Sequence, residues 1–313
     1  MNDYVIETRG LTRYFGSKCA VNELDLRVPR GSVFAFLGRN GSGKTTTIRM
    51  LLGLLDATRG EARVLGEDSR RLSPRVIARI GYIAESHPVY RWMRVSEAAA
   101  FASRFGGPWN QKVFDAVISH FRVDGRTKAS ELSRGERAGL SLALALAPEP
   151  ELLILDDPAL GLDPVARRSL LESMLYVTRG QGRTVFFSSH MLADVERVAD
   201  CVAILDYSVL RAQCPMETFR QRVKQYVLTY PGMPPELPRI PGLLQAFRAD
   251  RETRLTIANV DESTQQVLGT LGAQSVHESP LSLEDALIAY MGERGEKSFF
   301  QDSLMRNLER QGV

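Results

Sequence analysis

The sequence lacks long apolar runs, paired cysteines and an excess of charge of one sign, and each absence narrows the class of protein. No stretch of its 313 residues approaches the roughly 18–20 apolar residues that a membrane-spanning helix needs. The richest apolar segment, 140–147, has the length of a core helix. The N-terminus has no cationic start followed by an apolar run, so we predict no secretory signal. If the protein serves a membrane, we expect it to do so as a peripheral subunit.

The cysteines and the charge balance exclude further classes. Cys19, Cys201 and Cys214 are scattered, and no pair has the spacing of a metal site or a redox motif. We interpret them as small buried apolar residues in a reducing, cytoplasmic setting. The chain has 40 basic and 37 acidic residues, a net charge of +3. So balanced a composition gives no case for nucleic acid or an anionic membrane surface, and we expect no nucleic-acid partner.

Strand and helix patterns alternate over most of the chain. Residues 32–37 are nearly all apolar, as in a strand buried on both faces, and residues 44–55 have helical spacing. Asp163 and Pro164 have the residue types of an N-cap and a first helical position. This alternation predicts an α/β fold with a mostly parallel sheet. The strand patterns before residue 30 predict an antiparallel β-subdomain beside it.

A change of composition predicts a second domain. Residues 231–241 contain five prolines, and strand and helix patterns resume after them. We therefore predict a main domain over 1–219, with a helical subdomain at about 86–147. A small α+β domain is expected over 220–291 and a polar tail over 292–313.

The strongest motif is a glycine-rich loop between a predicted strand and a predicted helix. It reads GRNGSGKT and matches G-x-x-x-x-G-K-[ST], the P-loop of NTPases. Its glycines let backbone N–H groups turn towards phosphate oxygens, and the helix directs its positive end to the same charge. Lys44 is expected to reach the β- and γ-phosphates of ATP, and Thr45 to hold Mg²⁺. The predicted ATP-binding residues of this motif are Gly38, Arg39, Asn40, Gly41, Ser42, Gly43, Lys44, Thr45 and Thr46.

Two further motifs distinguish this P-loop protein from others. The apolar run 152–155 ends in Asp156, whose carboxylate is expected at the edge of the sheet where ligands bind and where it can hold Mg²⁺ through water. Shortly before it, a predicted helix opens with Leu132, Ser133, Arg134, Gly135 and Glu136. With the P-loop, these motifs resemble the ATP-binding-cassette (ABC) family, whose signature motif is L-S-G-G-Q. The resemblance covers about residues 4–219.

The resemblance implies roles for further residues. Asp163 closes the D-loop, His190 is the switch histidine that contacts the γ-phosphate, and Phe15 is the aromatic residue that stacks on adenine. Glu85 falls at the glutamine loop, which contacts the attacking water and Mg²⁺. Asp157 stands where the family has the base that polarises this water. In the family the signature binds the ATP of a second subunit, which implies a homodimer or a pair of cassettes.

The chain departs from the family pattern at three places. Asp157 replaces a glutamate and is one methylene shorter, so we predict that hydrolysis persists but is slow, because near-ångström misplacement costs about a hundredfold in rate. Glu85 replaces a glutamine and adds negative charge near the triphosphate. Arg134 and Glu136 replace Gly and Gln of the signature.

The family resemblance extends to a particular branch. Residues 281–290 and 58–61 resemble ATPase subunits of bacterial drug, antibiotic and lipid exporters. We therefore predict an exporter subunit on the inner face of the cell membrane, driving a separate membrane-spanning chain. Two alternatives stay open: a cassette that senses ATP with very slow turnover, and a soluble ABC ATPase with no role in transport. The second usually has two cassettes or a coiled-coil insertion, and this sequence has neither pattern.

Overall fold

The computed structural model describes residues 3–105 and 107–291; the predicted polar tail at 292–313 lies outside them. The strands are β1 Tyr4–Phe15, β2 Lys18–Leu24, β3 Arg27–Pro29, β4 Val33–Gly38, β5 Arg59–Val64, β6 Glu67–Asp68, β7 Ile80–Ile83, β8 Leu152–Leu155, β9 Thr184–Ser189, β10 Cys201–Asp206, β11 Val209–Pro215, β12 Val223–Thr229, β13 Leu243–Ala249, β14 Glu252–Ala258 and β15 Ser275–Ser279. The helices are α1 Lys44–Leu51, α2 Pro74–Ile77, α3 Val95–Ala102, α4 Gln111–His120, α5 Arg134–Leu146, α6 Pro164–Gln181, α7 Leu192–Val198, α8 Met216–Arg222, α9 Glu262–Thr270 and α10 Leu283–Met291.

The chain forms two compact units that divide between Leu210 and Arg211. This division falls inside β11. The boundary predicted from the sequence, after residue 219, lies later in the chain. The proline-rich segment 231–241 lies between β12 and β13, within the second unit. That segment is therefore a loop of the second unit, inside the range 220–291 that the sequence predicts for the second domain.

Two sheets build the first unit. Strands β10, β4, β9, β8 and β7 lie side by side in that order, and every pair among them is parallel. A second sheet has the order β2-β1-β5-β6, with β3 also on β1, and its pairs are antiparallel. The predicted α/β fold with an antiparallel sheet beside the parallel one is confirmed.

The central strands are apolar because helices and the second sheet exclude water from both of their faces. All six residues of β4 are buried, as are all six of β9. Phe186 of β9 packs between Phe34 and Phe36 of β4, with ring centroids 5.8 and 5.5 Å away. This packing fixes the strand ends at which the P-loop and His190 stand.

Three helices, α3, α4 and α5, lie between β7 and β8 in the chain. Ser133 and Glu136 form a capping box at the start of α5, because the Ser133 hydroxyl accepts the Glu136 N–H while the Glu136 carboxylate accepts the Ser133 N–H. The predicted N-cap of α6 is confirmed: the Asp163 carboxylate accepts N–H bonds from Val165 and Ala166. No helix in the described part of the chain is long and apolar enough to cross a membrane.

The second unit has its own sheet and core. Strands β13, β14, β12 and β15 lie in that order in an antiparallel sheet. Apolar residues of β12, β14 and α9 form its core, among them Leu228, Leu255, Ile257 and Leu268. The helix α10 contacts β13.

Candidate active site

The P-loop connects β4 to α1 and encloses its lysine. Gly41 and Gly43 have φ angles of 81° and 111°, a left-handed conformation that other residues rarely adopt. A side chain at Gly43 would also meet the Ala20 carbonyl oxygen at 2.2 Å. The ammonium group of Lys44, which is 6% exposed, donates to the carbonyl oxygens of Gly38 at 2.8 Å and Arg39 at 3.2 Å. The loop thus holds a buried cation beside backbone N–H groups.

The electrostatics of Lys44 suit an anionic ligand. Burial lowers the pKa of Lys44, and the carboxylates of Asp157, Asp156 and Glu85 act in the opposite direction. A triphosphate would supply the negative charge that favours the protonated lysine. The P-loop therefore gains a charge-assisted partner on binding such a ligand.

A second group of oxygens lies beside the lysine. Asp156 follows β8 and is 2% exposed, and its Oδ1 accepts hydrogen bonds from Thr45 Oγ1 at 3.1 Å and Ser188 Oγ at 2.8 Å. Among the described residues no group of three or more His, Cys, Asp and Glu side chains forms a metal site. Thr45 and Asp156 nevertheless fit Mg²⁺, a hard cation that usually takes one or two protein oxygens and completes its shell with water and phosphate.

Asp157 is held in an unusual backbone conformation. Its φ of 43° lies in the left-handed region, and its N–H donates to Ser188 Oγ at 2.8 Å. Its Oδ2 lies 2.6 Å from His190 Nδ1, at the end of β9. Ser188 was not predicted as a site residue, yet its hydroxyl fixes both aspartates. A serine at the end of an otherwise apolar strand was the signal for it.

One cavity of about 450 Å³ lies between the P-loop and the two aspartates; His190 and Ser188 are not part of its lining. Its lining includes most of the predicted ATP-binding residues together with Glu85, Asp156 and Asp157. Phe15 lies at the cavity with 48% of its surface exposed, and the guanidinium of Arg13 stacks 4.6 Å from its ring centroid. Lys18 and Ala20 also line the cavity and were not predicted. They follow Phe15 on β2, and only the pairing of β1 with β2 brings them there.

The predicted signature residues do not line this cavity. Ser133 and Arg134 are exposed at the start of α5. The Arg134 guanidinium donates to the Gly161 carbonyl at 3.4 Å, and a side chain at Gly161 would come within 2.8 Å of it. Gly135 packs so closely against α6 that an added Cβ would lie 2.8 Å from Ala166 Cβ. Signature and D-loop thus form one contiguous surface apart from the cavity.

Comparison with known proteins identifies this arrangement. A family model described as ABC transporter matches residues 21–160. The chain is 34% identical over 225 residues to a bacitracin transport ATP-binding protein of Bacillus licheniformis, a match that covers 71% of this chain and 74% of that protein. The chain belongs to the ATP-binding proteins of ABC transporters. The activity of this family is ATP hydrolysis, and its nucleotide is ATP.

Other matches cover the cassette more fully or establish its fold. A Nod factor export ATP-binding protein of Rhizobium sp. (strain N33) is 30% identical over 306 residues, which cover 95% of this chain and all of that protein. The ATP-binding subunit of an ABC transporter has a TM-score of 0.63 at 26% identity, over 69% of this chain and 92% of that one. A dimeric cassette with bound ADP and phosphate has a TM-score of 0.59 at 18% identity, over 67% and 98% of the two chains, and supports the fold alone.

Proposed function

We propose that this cassette hydrolyses Mg·ATP at the cavity between its P-loop and Asp157 and thereby drives a separate membrane-spanning subunit. The observation that supports this proposal is the meeting of Lys44, Asp156 and Asp157 around one cavity next to Thr45. Lys44 follows β4 and the two aspartates follow β8, at the edge of the parallel sheet where ligands bind in such folds.

The ATP-binding roles follow from the position of each group. Phe15 offers an exposed ring face for adenine, while Arg13 stacks on the ring. Residues 40, 41 and 43–46 line the cavity and would surround the phosphates with backbone N–H groups and the Lys44 ammonium. Thr45 would hold Mg²⁺, Asp156 would hold it through water, and Glu85 lines the same cavity. The ion, when bound, neutralises charge on the phosphates.

Asp157 is the proposed base, and His190 positions it. A carboxylate can accept the proton of the attacking water and orient that water towards the γ-phosphate. The 2.6 Å contact to His190 Nδ1 fixes one oxygen of Asp157 and leaves the other for water. Because Asp157 has a shorter stem than the family's glutamate, we propose slow turnover.

A second subunit completes the site in this proposal. The buried Leu132 leads into a surface formed by Ser133, Arg134, Gly135 and Glu136 at the N-terminus of α5. The positive end of a helix favours a phosphate. Asp163 lies beside this surface at the start of α6. Since the signature is separate from the cavity of its own chain, we place it on the ATP of a partner, in a homodimer or with a paired cassette.

The membrane-spanning subunit has a candidate docking surface on the helical subdomain, which we place at about 86–147. Four exposed rings form a chain of contacts in the order Trp92, Tyr90, Phe101 and Phe105. A cavity of about 390 Å³ adjoins them, lined by apolar residues such as Met93 and Leu144. An exposed aromatic cluster of this kind is typical of an interaction site. Bound there, the cassette would lie peripherally on the inner face of the membrane.

Replacing both Tyr90 and Trp92 with alanine should release the cassette from membranes. Trp92 is 70% exposed, so its loss removes contact area without disturbing the core. We expect the membrane-bound fraction in the source cells to fall several-fold, while ATP turnover of the purified chain stays unchanged. The control is Tyr176→Ala, which removes an equally exposed ring from α6. An unchanged membrane-bound fraction would place the docking surface elsewhere.

The direction of transport is proposed as export. The relatives named for bacitracin transport and for Nod factor export support this direction, and the second of them matches along both units. We also propose that the second unit, which the sequence placed at 220–291, is the small α+β domain of such exporter subunits.

Replacing Lys44 with alanine should abolish ATP turnover by the purified cassette. Without the buried cation that faces the phosphates, ATP binds more weakly and the charge of the transition state is less stabilised. We therefore expect the turnover rate to fall at least about a hundredfold. Steady-state phosphate release with Mg·ATP measures it. Tight ATP binding by the parent without Lys44-dependent release would favour the alternative of an ATP-sensing cassette.

A further inference from the structure

A partly buried ion pair joins two helices beside the active site. Arg167 of α6 and Asp194 of α7 approach with Nε and Oδ2 3.6 Å apart. The side chain of Asp194 is 6% exposed and that of Arg167 is 28% exposed. Both atoms are buried and have no hydrogen-bond partner among the described residues. The separation exceeds that of a hydrogen bond, about 2.7–3.2 Å, so the pair can tighten by a small movement of either helix.

Each helix begins at a different part of the proposed catalytic machinery. The α6 helix starts at Asp163 of the D-loop, and the Arg167 N–H donates to the Asp163 carbonyl at 2.9 Å. The α7 helix begins two residues after His190, and Asp194 lies in its first turn. The two helices pack against each other. The ion pair therefore connects the D-loop to the segment of His190 through one turn of helix on each side.

The charges around Asp194 depend on this connection. Burial raises the pKa of Asp194, and the nearby carboxylate of Asp157 raises it further, whereas Arg167 and His190 lower it. Without the Arg167 guanidinium, the buried carboxylate of Asp194 would lose its ion-pair partner while the charge of Asp157 still acts on it. A buried charge without its partner is strongly unfavourable, so the local structure would shift to relieve it.

We propose that Arg167 and Asp194 are positioning residues for hydrolysis: their ion pair sets where His190 and Asp157 stand relative to the D-loop. The inference rests on the proposed function, since it assigns the pair a role in ATP turnover. It predicts that the pair affects the chemical step more than the binding of ATP, because neither side chain lines the nucleotide cavity.

The test compares Arg167→Gln, Asp194→Asn and the double variant by steady-state Mg·ATP hydrolysis. We expect each single change to lower kcat about tenfold, because a shift well below an ångström costs less than the hundredfold of a full one. The KM for ATP should stay within about twofold. The double variant should lose no more than the worse single variant, since both changes remove the same interaction. Arg167→Lys and Asp194→Glu keep the charges, fold with smaller disturbance and should retain intermediate kcat values.

The control is the exposed pair Arg168–Glu172 on the same helix, with Nε and Oε1 2.7 Å apart. Arg168→Gln should leave kcat and KM unchanged. Unchanged kcat in both single variants, or losses that add in the double variant, would overturn the inference. So would a lowered melting temperature without a change in kcat. A parent without Lys44-dependent turnover would overturn the proposed function, and the inference with it.

Discussion

Asp157→Asn should reduce Mg·ATP turnover by about 10²–10⁴-fold, the usual contribution of a general base. Asparagine preserves the size of the side chain and can keep the N–H bond to Ser188. It cannot accept a proton from water, and it replaces the carboxylate oxygen that contacts His190. We expect ATP binding to persist, because Lys44 and the P-loop are unchanged. Phosphate release and equilibrium ATP binding, measured on the same preparation, separate the two effects.

The reverse experiment addresses the shortened stem of Asp157. Asp157→Glu adds one methylene and should hydrolyse ATP at least as fast as the parent, because the carboxylate then extends further into the cavity. Asp115→Asn, which neutralises a carboxylate on α4, serves as the control for loss of charge alone. An asparagine variant as active as the parent would exclude Asp157 as the base. A much slower glutamate variant would exclude the account of slow turnover.

Gly135→Ala should reduce turnover by about a hundredfold through the signature. The new methyl group would lie 2.8 Å from Ala166 Cβ, closer than packed carbons approach, and neither atom belongs to a flexible side chain. The start of α5 must then move away from α6, and overpacking of this kind costs about 1–3 kcal/mol. Ser133 and Arg134 would move with it, and near-ångström displacement from a partner's phosphate lowers the rate steeply.

Gly125→Ala is the matched control for this change. Its added methyl group would meet no atom closer than Ser96 Cβ at 4.0 Å. We expect it to keep the turnover and melting temperature of the parent. ATP binding by the Gly135→Ala monomer should also be unchanged, because Gly135 does not line the cavity. Full turnover by Gly135→Ala would show that the signature is not used in hydrolysis.

Local patterns predicted those parts of the fold that depend on neighbouring residues. The apolar run of β4 and the cap at Asp163 need only a few adjacent residues, and both occur as predicted. Ser133 and Glu136 match the sequence pattern of a capping box, S-x-x-E, and form one in the structure. This box was not among the predictions, which name Glu136 only as a departure from the signature motif. The hydrogen bond from the Ser133 N–H to the Glu136 carboxylate explains what a glutamate does at this position.

Other features depend on residues far apart in the chain. Ser188 reaches Asp156 and Asp157 only because β8 and β9 pair in parallel with matching register. Lys18 enters the cavity through the pairing of β1 with β2, and Arg167 meets Asp194 through helix packing. No single stretch of sequence encodes such contacts. For the same reason the unit boundary inside β11 had no local signal.

Whether a second subunit completes the ATP site is tested by the mass of the Asp157→Asn protein with and without ATP, measured by light scattering after size exclusion. We expect a monomer of 34.9 kDa without nucleotide and a dimer of twice that mass with Mg·ATP. In this dimer each signature closes on the partner's ATP, and slow hydrolysis keeps the two subunits together. Adding Gly135→Ala should return the protein to the monomer. A monomer at saturating ATP, with nucleotide bound, would contradict a site completed by a second subunit.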